Sequence, residues 1–142
     1  HVRLIIGIGN PLRGDDGVGA VVAGEAGRQL GMAVLAPHQL LPEHADLVRQ
    51  STAVIFVDAA ADLAPGIVTC DPVARSEWPS AGHRMSPADL IGLTGDAWHW
   101  EPPAWLVRIG AASFDFGTTL SPEVQAAVPQ AVELIRTLAP RP

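Results

Sequence analysis

The sequence predicts an α/β fold: a single three-layer domain, residues 1–142, built on a mostly parallel sheet with one antiparallel edge strand. Three observations carry this reading. The runs Val2–Ile8 (VRLIIGI) and Ala53–Val57 (AVIFV) are almost continuously apolar, the pattern of strands buried on both faces beneath helices. Around them, apolar residues recur at spacings of three and four, the period of amphipathic helices. A chain of 142 residues with one cysteine is also long enough to bury roughly 68% of its unfolded surface, so it needs no disulfide or structural metal.

Val2–Ile8 reads as a central strand, and Gly9-Asn10-Pro11-Leu12-Arg13-Gly14 as the turn-rich loop that follows. Asp15-Asp16-Gly17 opens a helix with Val18, Val21, Val22, Ala26 and Leu30 on its apolar face and Gly31 as its stop. Met32–Ala36 is a second short strand, completing a βαβ unit. A second helix begins at Pro42, whose fixed φ suits a first helical position, and runs through Val48. Ala53–Val57 is the third strand, ended by Asp58. Ile67–Cys70 is a fourth; too few residues precede it for a parallel crossover, so it is expected antiparallel at a sheet edge. Asp71 to Met85 has no periodicity and reads as a lid or binding loop. Ser86-Pro87-Ala88-Asp89 carries a cap, a first-turn proline and an acid three residues after the cap, predicting a third helix over Pro87–Leu93. Trp105–Ile109 is a fifth strand. The last helix starts at Ser121-Pro122-Glu123 and buries Val124, Ala127, Val128, Ala131, Leu134, Ile135 and Leu138, with a bend expected near Gln125 because Pro129 lacks the N–H that would bond it.

Composition narrows the chemistry. All nine basic residues are arginines, scattered singly, against 15 acids, for a formal net charge of −6, which argues against binding a nucleic-acid backbone. The longest apolar stretches fall far short of the ~20 residues that span a bilayer. Nothing resembles a signal peptide, and His1 in place of Met suggests a trimmed or tagged start. A cytoplasmic protein is the expectation. Cys70, alone, cannot build a thiolate cluster, and its apolar edge strand suits an inert thiol. No Gly-x-Ser-x-Gly occurs, and capping accounts for Ser86.

In open α/β sheets, ligands bind beyond the carboxyl ends of the strands. Asp15 and Asp16 follow the first strand and Asp58 closes the third, so the carboxylates can share one crevice if those strands are neighbours. Helix capping is the plainer role for Asp15 or Asp16, but two consecutive acids need only one cap. Gly7-Ile8-Gly9-Asn10 does not complete a dinucleotide fingerprint, since Leu12 stands where the third glycine belongs, and the chain has no lysine for a phosphate loop. Two acids in this position suit a cation. His83, His38, His44 and His99 are the available imidazoles; two carboxylates with one of them make a site for a borderline divalent metal such as nickel or zinc.

Four segments, GIGNPLRGDDGVG (Gly7–Gly19), VIFVDAA (Val54–Ala60), GHRMSPADLI (Gly82–Ile91) and FGTTLSPEVQAAV (Phe116–Val128), resemble the hydrogenase maturation proteases in order and spacing over nearly the whole chain. The resemblance implies a five-stranded twisted sheet with helices on both faces. It implies an endopeptidase that trims the C-terminus of a nickel–iron hydrogenase large-subunit precursor already loaded with nickel. It places the metal-recognising residues, and hence the catalytic site, at Asp16, Asp58 and His83. Nickel then arrives with the substrate, zinc or cadmium can stand in for it in vitro, no organic cofactor is implied, and the protease is expected to be a monomer. A metal held jointly by the precursor and these side chains would position the adjacent peptide bond and polarise its carbonyl.

The chain departs from the family pattern in three places. Many members have Glu where Asp16 stands. Many carry Asp-Gly-Gly-Thr after the second strand, where this chain has Pro37-His38-Gln39-Leu40. The Trp98-His99-Trp100 loop has no assigned counterpart and could grip a partner or pack over the sheet. Two other functions compete with the protease: a non-catalytic chaperone of a metal or metalloprotein, and a small-molecule regulatory domain whose acids serve only as caps.

Overall fold

A computed structural model describes residues 2–76 and 84–138. Strands β1 (Val2–Ile8), β2 (Ala33–Leu35), β3 (Ser51–Ala60), β4 (Val68–Pro72) and β5 (Ala104–Gly110) form one sheet in the order β2-β1-β3-β5-β4. All pairings are parallel except β4 with β5. The helices are α1 (Val18–Leu30), α2 (Ala45–Val48), α3 (Pro87–Trp98) and α4 (Pro122–Leu138), with 3-10 turns at Gly14–Gly17 and Pro42–His44.

The central strands alternate between two cores, which is why their sequences are apolar throughout. Ile5, Ile55, Val57, Val107 and Ile109 pack with Val18, Val22 and Ala26 of α1 and Val124, Val128 and Ile135 of α4. Leu4, Ile6, Val54, Phe56 and Ala104 face the other way, onto Ala45 and Val48 of α2 and Leu90 and Ile91 of α3. The result is a helix–sheet–helix sandwich, as expected, with β4 at one edge and antiparallel, also as expected. No helix among the described residues is long and apolar enough to cross a membrane.

Several boundaries differ from expectation. Strand β3 starts at Ser51 and continues past Asp58 to Ala60, because β5 supplies paired backbone as far as Gly110; an acid does not stop a ladder whose backbone groups remain bonded. Helix α3 runs five residues beyond Leu93 to Trp98. Buried Thr94 turns its hydroxyl back onto the Leu90 carbonyl at 2.8 Å, and His99 ends the helix in the left-handed conformation at φ 56°. Helix α4 continues through Pro129 without interruption. The predicted second helix divides into a 3-10 turn and a single α turn. Residues 77–83 of the expected lid loop lie outside the described residues; Arg75 and Ser76 before them are tied to α3, Arg75 to Asp96 at 2.6 Å and Ser76 to Asp89 at 2.6 Å.

Helix α1 sits unusually close to β1. A Cβ on Gly7 would lie 2.1 Å from the Gly19 carbonyl oxygen, and one on Gly19 would lie 2.7 Å from that of Val57 and 2.8 Å from that of Ile8. The glycines of the GIGNPLRGDDGVG segment therefore allow helix and strand backbones to touch. Because the Gly7 contact is to backbone and has no flexible end to yield, Gly7→Ala should destabilise the protein by about 3 kcal/mol or more, a fall in melting temperature of roughly ten degrees measurable by thermal unfolding. Gly24→Ala, at a helical position open on all sides, should leave the melting temperature unchanged or raise it.

Candidate functional site

The site lies at the carboxyl ends of β1 and β3, which are neighbours and parallel, with Ile8 of β1 opposite Asp58 of β3. Alternation along β3 puts Asp58 on the same face as Val54 and Phe56, the face covered by α3. A cavity of about 480 Å³ opens there. Asp16 and Asp58 both line it, with Ile8 and Gly9 from the end of β1, His38, Gln39 and Leu40 after β2, Arg84 to Pro87 at the start of α3, and Phe114 after β5. Of the three acids expected at one crevice, Asp16 and Asp58 share it, whereas Asp15 does not line it. His83 lies outside the described residues, in the segment that leads directly into Arg84. Among the described residues no three of His, Cys, Asp and Glu gather closely enough to hold a metal. His44 and His99 do not line this cavity, whereas His38 does.

Asp16 is held by its own loop. The Asn10 amide donates to its Oδ2 at 2.6 Å, and Gly9 carries φ 137° where a Cβ would lie 2.1 Å from the Asp16 carbonyl oxygen. Only glycine permits that crossing. The Gly9 amide donates in turn to the Pro37 carbonyl at 3.1 Å, fastening the segment with His38 and Gln39 to the same loop.

Neither acid caps α1, whose N-cap is Gly17 with no side-chain bond. Asp15 instead serves a distant element. Its side chain is wholly inaccessible, and its carboxylate accepts from the amides of Ala112 (2.8 Å), Ser113 (3.0 Å) and Ser121 (2.6 Å) and from the Ser121 hydroxyl (2.7 Å). Burial pushes its pKa up, but the bonds from Ser121, Ala112 and Ser113 outweigh it and hold the group below its ordinary value. Consecutive acids thus separate into a structural anchor, Asp15, and a cavity residue, Asp16. The sequence signal for the anchor was the pairing of two acids where one cap suffices; its partners, about a hundred residues away, left no local trace.

Asp58 sits in the opposite environment. Burial first, and the neighbouring charge of Asp16 second, raise its pKa from 3.8 to about 6, against smaller lowering effects of the Ala59 amide and of Arg108. Arg108 is the β5 residue in register with Asp58 and pairs with Asp62. Two carboxylates in one cavity, one of them held reluctant to ionise, form a donor set that a divalent cation would relieve. Cys70, by contrast, packs against the α1–α4 core with its thiol pKa raised by burial and by Asp71, consistent with an inert role. The Trp98-His99-Trp100 loop is at the other end of the sheet: the Trp100 indole donates to the carbonyl of Ser51, the first residue of β3, at 3.0 Å.

No protein-family model and no curated protein matches the chain. Its fold, however, matches solved hydrogenase maturation proteases over nearly its whole length. A [NiFe] hydrogenase maturation protease HybD from Thermococcus kodakarensis is 25% identical, with a TM-score of 0.74 over 98% of this chain and 99% of that one. The hydrogenase maturating endopeptidase HybD from E. coli is 20% identical, with a TM-score of 0.76 over 97% and 91%. The maturation protease HycI from Thermococcus kodakarensis KOD1 is 19% identical, with a TM-score of 0.73 over 96% and 91%. The resemblance read from the four sequence segments is thus matched in the fold.

The two adjacent functional regions titrate in opposite senses. Folding raises the pKa of Asp58, so its contribution to stability is full below its ordinary 3.8 and is lost as the pH rises through about 6. Asp58→Asn should therefore melt above the wild type at pH 7.5, by on the order of 2 kcal/mol, with the difference closing towards pH 4 in a pH series of thermal melts. Asp15, with its lowered pKa, stabilises above its ordinary value and loses that contribution as acid protonates it. Asp15→Ala should cost about 3 kcal/mol near neutral pH in urea unfolding, because three amides and the Ser121 hydroxyl lose the buried carboxylate that accepts from them.

Proposed function

We propose that the chain is an endopeptidase that removes a C-terminal peptide from a nickel-loaded hydrogenase large-subunit precursor, and that Asp16, Asp58 and His83 recognise the metal. The observation that carries the reading is the convergence of Asp16 and Asp58 in one cavity at the switch between β1 and β3, on a fold matched over 98% of the chain by a named [NiFe] hydrogenase maturation protease.

The chemistry follows from the donor set. Nickel is part of the substrate, held by the precursor's own ligands, and the protease adds oxygen donors from two carboxylates. Desolvation first, and repulsion from Asp16 second, make the unoccupied Asp58 reluctant to ionise; a cation between the two carboxylates offsets both, so a metal-loaded precursor is favoured over an empty one. Asp16 is fixed by the Asn10 amide and Asp58 by the β3 ladder on both sides, so recognition requires little rearrangement. His83 would supply a nitrogen donor from the segment that enters α3. A metal ion at this point polarises the neighbouring peptide carbonyl towards attack by water, with no nucleophilic side chain required. The soft thiolate ligands that this chain lacks belong, in this reading, to the precursor.

The decisive measurement is the intact mass of a nickel-loaded large-subunit precursor after incubation with the protein. The wild type should shorten it by one C-terminal peptide and leave a nickel-free precursor untouched. Asp16→Ala, Asp58→Ala and His83→Ala should each slow trimming by more than about 100-fold, the upper end of the cost of losing merely supporting residues around a metal, while unfolding cooperatively. Tight binding of the loaded precursor with no change in mass would overturn the protease reading in favour of a chaperone.

A further inference from the structure

Beside the cavity stands a ridge that metal recognition does not use. Phe116 is 83% exposed and Leu12 56%, apolar surface that burial against a partner would favour. Such residues on a loose loop would mean little, but these two are held firmly. The loops that carry them are laced together as a parallel bridge between Arg13 and Gly117: the Gly14 amide donates to the Gly117 carbonyl at 2.8 Å, the Gly117 amide to that of Leu12 at 2.9 Å, and the Asp15 amide to that of Ser113 at 3.0 Å. The guanidinium of Arg13 lies over the Phe116 ring, 4.9 Å from its centroid. Beneath them, the buried Asp15 carboxylate clamps residues 112, 113 and 121.

We propose that this ridge, Leu12, Arg13 and Phe116, is the docking surface for the folded body of the precursor, with Phe116 seated in an apolar cleft next to the segment to be trimmed; the inference rests on the protease reading above. The ridge is continuous with the cavity, since Phe114, two residues before Phe116, is one of its walls. A protein that delivers its chain end to Asp16 and Asp58 must bring its own surface against the cavity's rim. Aromatic and arginine side chains are the types that dominate such contacts, and a ridge already ordered by its own hydrogen bonds loses little entropy on binding. A membrane surface is a poor match, because Leu12, Arg13 and Phe116 carry one arginine between them and the chain has a net charge of −6.

The test measures binding separately from cleavage. Purified precursor, nickel-loaded and nickel-free, is titrated against the wild type, Phe116→Ser, Leu12→Ser and Phe116→Trp by interferometry, and trimming rates are recorded in parallel. Binding to both forms of the precursor should weaken by about tenfold or more in Phe116→Ser, less in Leu12→Ser, and be retained in Phe116→Trp. Trimming of the nickel-loaded precursor should show a raised KM with kcat preserved. Equal affinity of Phe116→Ser and wild type, or failure of the wild type to bind the precursor, overturns the proposal. So does a wild-type dimer in sedimentation that Phe116→Ser disperses, which would make the ridge a contact between copies of this chain. Binding that depends on Phe116 but leads to no trimming would sink the protease reading and leave the docking surface standing.

Discussion

Backbone contact between α1 and the sheet is the constraint from which the rest of the molecule follows. With the Gly7 and Gly19 backbones in contact and no room for a methyl group between them, the chain leaving β1 must turn sharply and re-enter as a helix directly above the strand it came from. That turn fixes where residues 15 and 16 fall. One is driven under the surface and the other is left at the mouth of the strand, facing Asp58 across the β1–β3 junction. The glycines resemble a nucleotide-binding loop in composition because both solve the same packing problem; here acids occupy the space a phosphate would take, so the electrostatic preference is reversed.

Asp15 and Asp58 illustrate how far environment can separate identical groups. Asp15 is more deeply buried than Asp58, yet it stays ionised, because three amides and a hydroxyl replace the water it has lost. Asp58 is less buried but has fewer donors and a like charge beside it, and its proton is held more tightly. Burial alone therefore does not decide the state of an acid; the number of donors it meets does. Holding Asp16 and Asp58 in one cavity costs stability, a cost that a cation bound as proposed above would relieve.

Much of this was legible in the sequence. Strands β1 and β3 announced themselves by apolar runs that alternate between two cores, and the cap at Ser86 is present as read: the Asp89 amide donates to the Ser86 hydroxyl and the Ser86 amide to the Asp89 carboxylate. The antiparallel β4 followed from a connection too short for a crossover. What escaped the sequence were features set by distant partners. The sequence predicts too short an α3 because Gly92, Thr94 and Gly95 are weak helix formers, and burial against the sheet overrides them. Asp58 reads as a strand end, whereas backbone pairing with β5 carries the strand onward. The anchoring role of Asp15 and the ridge at Phe116 both depend on residues 12–15 meeting residues 112–121, a contact that no local pattern encodes.

That last contact also bears on when the site comes into being. The hydrogen bonds of Asp15 close loops of 97, 98 and 106 residues, among the longest the chain can make, and long closures carry the largest entropic cost and form without help from local structure. Their donors lie between β5 and α4. While the chain is being synthesised, β1, α1 and β3 emerge with both acids of the cavity in place, but the clamp beneath them has no partners until residues 112–121 have also emerged. A nascent chain can therefore display the acids before the clamp beneath them has closed, and the fully organised cavity waits on residues 112–121.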